Sequence, residues 1–284
     1  MIFLSLIVAV SCNETKKENP KNEPQEFDYQ MDRFADIEVL RFQVDRWNEM
    51  SLQQKTLIYY LSEAALCGRD IVFDQNYEHN LDIKDALENI IDSYSGDKSN
   101  ADFEKFMVYV KRFWFSNGIH HHYSNAKFFP EISKEYFSKL MTQSNLQGFH
   151  YDSTMDFTTY TNWITDLIFN PSIAPWKISP DNSPDLILNS ASNFYKGVTQ
   201  KEAEGFYAKM EKNRKIYDPE HPVSLGLNSQ LVKEKGKMVE KKYQVGGMYS
   251  EAITQIVFWL NKALTVTEND QQKAYIEKLI SYYQ

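Results

Sequence analysis

Cysteine is scarce. Cys12 and Cys67 are the only two in 284 residues, so a disulfide framework is excluded. Glycine and proline are also few, at 10 and 9, which argues against an all-β sandwich built on frequent tight turns. No long Lys/Arg run occurs and the formal net charge is −8. Nucleic acid is therefore not an expected partner, because it is bound through basic patches. The His-Glu-x-x-His pattern, which sets two zinc ligands and a carboxylate on one helix face, is missing. So is its variant with one extra residue: none of His79, His120, His121, His122, His150 and His221 is followed by Glu. No Gly-x-Ser-x-Gly elbow, Walker loop or dinucleotide fingerprint is present, and Gly246-Gly247 reads as a turn.

Apolar residues are plentiful, at 42%, and aromatics reach 14%. That is enough to bury a core in one large domain or two smaller ones. Cys67 sits in the apolar run Ala64-Ala65-Leu66-Cys67 and reads as a small buried hydrophobe. At the N-terminus, Ile2 to Val10 is apolar but too short to span a bilayer, and it reads as the h-region of an export signal. Ala9-Val10-Ser11-Cys12 looks like a bacterial lipobox, so residues 1–12 are expected to be a lipoprotein signal with Cys12 the lipidated residue. No basic residue precedes Ile2, and the alternative is a cytoplasmic protein with a frayed N-terminus. Residues 13–26 are polar and form an expected flexible tether.

From Phe27 onward the pattern is mainly helical. Ile37, Leu40, Val44 and Trp47 recur at helical spacing. Ser51 is an expected N-cap for a helix through Leu57, Tyr60, Leu61 and Ala64 that stops at Gly68. Asp82 is the expected cap of a helix carrying Ile83, Ala86, Ile90 and Ile91. Residues 102–115 place Phe106, Val110, Phe113 and Trp114 on an apolar face. Pro171 to Pro184 reads as a connection between two regions, and Leu186 to Leu188 as a short strand. Thr199-Gln200-Lys201-Glu202 is a capping box opening a helix with Phe206, Tyr207 and Met210. Gly226 to Tyr243 alternates around Lys235-Gly236-Lys237 as a β-hairpin. Helices carrying Ile253 to Leu260, and then Glu268 to Gln284, follow. The last ends on an aromatic face without a cap, the expected mark of a chain truncated at its C-terminus. Glu38, Asp45, Glu49, Glu63 and Asp70 read as a charged outer helix face.

His120-His121-His122 invites a metal-site reading, but adjacent residues do not share a helix face. The run reads instead as a solvated loop after a helix stop at Asn117-Gly118. No catalytic residue and no metal ligand is assigned within the segment.

Phe113-Trp114-Phe115-Ser116-Asn117-Gly118, His120-His121-His122-Tyr123-Ser124-Asn125 and Lys127-Phe128-Phe129-Pro130 together form a distinctive stretch. It resembles the dipeptidyl peptidase III family (zinc metallopeptidase family M49), in which a helix ends in Ser-Asn, a polar loop follows and Lys-Phe-x-Pro closes it. Arg69-Asp70-Ile71 after an apolar helix is compatible with the same family. The likeness runs through most of residues 30–284, with Ser116 to Pro130 its specific part.

The resemblance implies an α+β, predominantly helical fold: residues 27–284 as an incomplete lower lobe of a two-lobed peptidase, with helices around a small β-barrel or hairpin core. It implies an enzyme that releases dipeptides from the N-terminus of short peptides. Zinc is held in that family by His-Glu-x-x-Gly-His and a later Glu on the upper lobe, none of which is in this segment, so the segment alone is expected to be inactive. The loop before Lys-Phe borders the pocket for the substrate's N-terminal dipeptide, which carries a substrate-binding role over to Tyr123, His122 beside it, and Asn117. The loop here is about one residue shorter than the family's and richer in histidine. Asn117 and Asn125 also have a purely structural reading, as groups satisfying loop backbone. Short peptides are thus the expected partner, with membrane contact only through the N-terminal lipid and the bacterial cell envelope as the expected location. A non-catalytic exported helical lipoprotein that binds peptides or a partner is the alternative.

Overall fold

A computed structural model describes residues 27–180, 184–213, 220 and 224–284. Cys12, the signal, the tether and His221 lie outside the described residues. The elements run β1 (Gln30–Phe34), β2 (Ile37–Leu40), α1 (Leu52–Cys67), α2 (Arg69–Asn76), α3 (Asn80–Ser93), α4 (Ala101–Ser116), α5 (Lys134–Thr142), α6 (Phe157–Phe169), β3 (Tyr195–Lys196), α7 (Gln200–Lys212), β4 (Ser229–Glu234), β5 (Lys237–Lys242), α8 (Ser250–Leu264) and α9 (Asp270–Tyr283). The fold is α+β and predominantly helical. Its described strands form a two-stranded sheet β1-β2 and a three-stranded sheet β3-β4-β5, a hairpin core that does not close into a barrel.

Three apolar clusters hold the chain. The largest is built from α2 to α6 and the loop after α4, around Ile83, Leu87, Phe106, Phe113, Leu140 and Ile164, each fully buried. Helices α1, α8 and α9 form the second around Leu57, Leu260, Ala263 and Ile276, with Cys67 half-buried at its edge. The third packs Val198 and Ala203 at the start of α7 onto Leu231 of β4. Each removes large side chains from water, at roughly 1.5–3 kcal/mol per fully buried residue.

Capping chemistry places most helices. Ser51 and Gln54 form a capping box on α1, as Thr199 and Glu202 do on α7. The β4–β5 turn uses Lys235 at φ 50° and Gly236 at φ 78°, the left-handed pair that a two-residue hairpin needs.

Four expectations need correction. Ile37 and Leu40 lie in β2 of a hairpin, not a helix. The turn at Ala35-Asp36 reverses the chain, and only Phe34 and Ile37 of the hairpin bury; the helical spacing of Val44 and Trp47 is coincidental. As a result Glu38 lies on β2 and Glu49 in a single 3-10 turn, so the acidic residues do not form one helix face. Asp82 is in the first turn of α3, its Oδ2 3.2 Å from His79 Nδ1, while His79 is the N-cap. Leu186 to Leu188 is a turn, because Asp185 Oδ1 accepts the backbone N–H groups of Ile187 and Leu188 at 3.0 Å each.

Candidate functional site

Helix α4 ends at Asn117, a left-handed C-cap at φ 52°, ψ 48°. Its backbone carbonyl accepts from Asn76 Nδ2 at 3.0 Å and Asn80 Nδ2 at 3.4 Å. Gly118 follows at φ 139°, with the buried Asn80 amide pressed against it. Asn117 therefore fixes where the loop leaves the helix.

The loop is then tied down by a segment some fifty residues later. Lys127 N–H donates to Pro175 O at 3.0 Å, Lys177 N–H to Asn125 O at 2.8 Å, and Ala126 bridges Trp176. The Pro171–Pro184 stretch is thus not a bare connection: its first half straps the candidate loop. Lys127 itself is buried, its ammonium donating to Asn170 O at 2.8 Å and Ile173 O at 2.9 Å, and burial lowers its pKa to about 8.

The three adjacent histidines have three different environments, and the solvated-loop reading holds for none of them fully. His120 is buried, 1% exposed. Its Nε2 donates to Ala174 O at 2.8 Å, and its Nδ1 has no partner. Burial pushes its pKa down to about 4. His121 Nδ1 accepts backbone N–H bonds from Tyr123 at 3.2 Å and Ser124 at 3.1 Å. That leaves Nε2 as the protonated nitrogen, donating to Asp36 Oδ2 at 3.0 Å. His121's hydrogen bond, more than any other cause, holds the Asp36 carboxyl below its usual range. His122 stacks on His121 at 4.4 Å between ring centroids and meets Phe115 edge-on at 5.0 Å.

Tyr123 completes this face. Its ring lies 4.5 Å from that of His122 and is 83% exposed. A tyrosine so exposed buries little of its own surface, while its backbone is held by His121 beneath it. Of the residues assigned from sequence, His122 and Tyr123 share one aromatic face and Asn117 stands apart as the helix cap. Phe115, 43% exposed at the end of α4, belongs to that face and was not foreseen. The clue available was its position off the buried Phe106–Val110–Phe113 stripe.

On the other side of the strap lies a cleft of about 460 Å³ between α2, the strap and β3, lined by Tyr77, Glu78, Asn189, Asn193, Tyr195 and Lys196 among others. Lys196 Nζ pairs with Glu78 at 2.8 Å, and this bond is the main reason the Glu78 carboxyl lies below its usual range. Asn193 anchors the wall: its Nδ2 donates to Asp74 Oδ2 at 3.1 Å, and its carbonyl and side-chain oxygens accept from Gln230 Nε2. Tyr249 donates to the same Asp74 oxygen at 2.5 Å, which ties α2, β3, β4 and the start of α8 together.

No three His, Cys, Asp or Glu side chains gather as a metal site among the described residues. His120 spends Nε2 on Ala174 O of the strap, and His121 spends both ring nitrogens on Asp36 and the loop backbone, so the described residues here do not fit a zinc centre.

No protein-family model matches the sequence, and no curated protein matches it. Among solved structures, the chain is similar to dipeptidyl peptidase III from Caldithrix abyssi, with a TM-score of 0.49 and 14% identity over 84% of this chain and 32% of that one. It is similar at the same TM-score of 0.49 to dipeptidyl-peptidase III from Corallococcus sp. strain EGB, with 15% identity over 85% of this chain and 32% of that one. The chain thus spans about a third of the length of the structures it resembles. Likeness at this level concerns a partial chain trace and carries no statement about activity.

Proposed function

We propose that this chain is the lower-lobe part of a zinc-dependent dipeptidyl peptidase acting on short peptides, and that the Phe115–His122–Tyr123 face bears on the substrate's N-terminal residues. The peptidase reading rests on the resemblance carried by Ser116 to Pro130, and what supports the substrate face is an 83% exposed Tyr123 on a firmly tied loop. Exposed aromatics on a fixed backbone offer a peptide side chain contact area at little ordering cost. A tyrosine face also attracts a cationic amino terminus. Zinc, in this proposal, is held by residues outside the segment, and no chemical step is assigned to the residues described. The segment contributes positioning.

Tyr123→Ala is expected to weaken binding of a short peptide to this chain by about tenfold, the loss of one aromatic contact of roughly 1.4 kcal/mol, with thermal stability unchanged. Isothermal titration of wild type and variant tests this; equal affinities would remove Tyr123 from the peptide face.

We propose further that the protein is tethered at the bacterial cell envelope through a lipid on Cys12, on the strength of Ala9-Val10-Ser11-Cys12. Among the described residues no helix is long and apolar enough to cross a membrane. Cys12→Ser is expected to move the protein from the membrane fraction to the soluble one, and its retention on membranes would contradict lipidation.

A further inference from the structure

A second cleft, of about 250 Å³, opens beside the β1–β2 turn, between α4 and the segment after Phe128. One wall is a stripe of α4: Lys105, Val108, Tyr109 and Arg112, spaced three and four apart so that they share a face. The other wall is Phe129-Pro130-Glu131, and Ala35 of the hairpin turn closes one end. The hairpin is fastened there by Lys111 Nζ on Asp32 at 2.6 Å and by the burial of Phe34.

Arg112 is the unusual member. Its guanidinium lies 4.5 Å from the Phe128 ring centroid, and its side chain is only 23% exposed. The nearest carboxylate, Asp36, stands 3.9 Å away, beyond hydrogen-bond range. Asp36 is itself bonded to His121. Among the described residues no acceptor takes a hydrogen bond from this guanidinium, although it has five N–H donors in a fork that matches a carboxylate. The Tyr109 hydroxyl is likewise buried without a partner. Val108 and Phe129, 38% and 40% exposed, give the cleft apolar walls.

We propose that this cleft binds a small monocarboxylate with an apolar body. The carboxylate takes the Arg112 fork, whose one ionic partner among the described residues is Asp36 at 3.9 Å, and the body lies between Val108, Phe129 and Pro130. Lys105 is two turns from Arg112, about 10 Å along the axis, so its charge draws the anion in without sharing it. Glu131 repels a second carboxylate, which selects against dicarboxylates. The volume sits below the roughly 300 Å³ at which drug-sized sites begin, so the guest is a short acid. The proposal does not rest on the peptide-binding face, from which Asp36 and His121 separate the Arg112 guanidinium.

Titration of the chain with 4-methylpentanoate, its neutral amide 4-methylpentanamide and the dicarboxylate glutarate, followed by backbone amide NMR, tests the assignment. Saturable binding of the acid is expected in roughly the millimolar range, with shifts at residues 105–112 and 129–131. The amide and the dicarboxylate should bind at least about tenfold more weakly. Arg112→Gln should abolish acid binding, and Glu131→Gln should admit glutarate. Equal binding of acid and amide, or no saturable binding of the acid, would overturn the proposal on the wild-type chain alone, whatever the variants' folding.

Discussion

Gly118→Ala is expected to cost about 3–5 kcal/mol of folding stability. The added Cβ would stand 2.1 Å from Asn80 Nδ2, and the backbone there has φ 139°, which side-chain-bearing residues rarely adopt. Asn80 has nowhere to retreat. It is fully buried, donates to Phe73 O at 2.9 Å and accepts from Ile119 N–H at 3.3 Å. Pushing it aside leaves those backbone groups unsatisfied, at roughly 1–3 kcal/mol each. Chemical denaturation of Gly118→Ala, Asn80→Ala and the double variant measures both terms. The double variant should lose clearly less than the two single losses added, because Asn80→Ala removes the atoms the new methyl strikes. Strict additivity would place the damage in the backbone alone.

The second large effect is a pH dependence centred on His120. Burial lowers its folded-state pKa to about 4, against an ordinary value of 6.5. Between those values the unfolded chain takes up a proton that the folded chain refuses, so stability falls as pH drops below 6.5 and the loss levels off below 4. The expected loss is about 3 kcal/mol. His120→Phe, which fills the site without a titrating group, should flatten that part of the profile while losing the bond to Ala174 O. Denaturant midpoints at pH 7 and pH 5 for wild type and variant decide it; an equally steep fall in both would assign the acid sensitivity to other groups. Because His120 is bonded to the strap, the strap is expected to loosen first on acidification.

Helix caps and one turn were legible in the sequence because their chemistry is local. Ser51 and Thr199 satisfy N–H groups three residues on, and Lys235-Gly236 supplies the backbone a tight hairpin needs. The β1–β2 hairpin was not legible. Its pairing buries only two side chains, and the apolar residues beyond it fall by chance at helical intervals. The loop presents the same contrast. Its exit from α4 at Asn117-Gly118 could be read directly, whereas the burial of His120 depends on Ala174, which sequence spacing does not bring near. The Glu78–Lys196 cleft was invisible for the same reason: its walls come from α2, the strap and β3, and only the fold joins them.

The most direct test of the peptide-binding proposal is a backbone and side-chain NMR titration of this chain with a short unblocked peptide. The expected result is a set of saturable shifts that gather at Phe115, His122 and Tyr123 and vanish when the peptide's amino terminus is acetylated. Shifts confined to other surfaces, or a response indifferent to acetylation, would contradict the assignment of that face to a substrate's N-terminal residues.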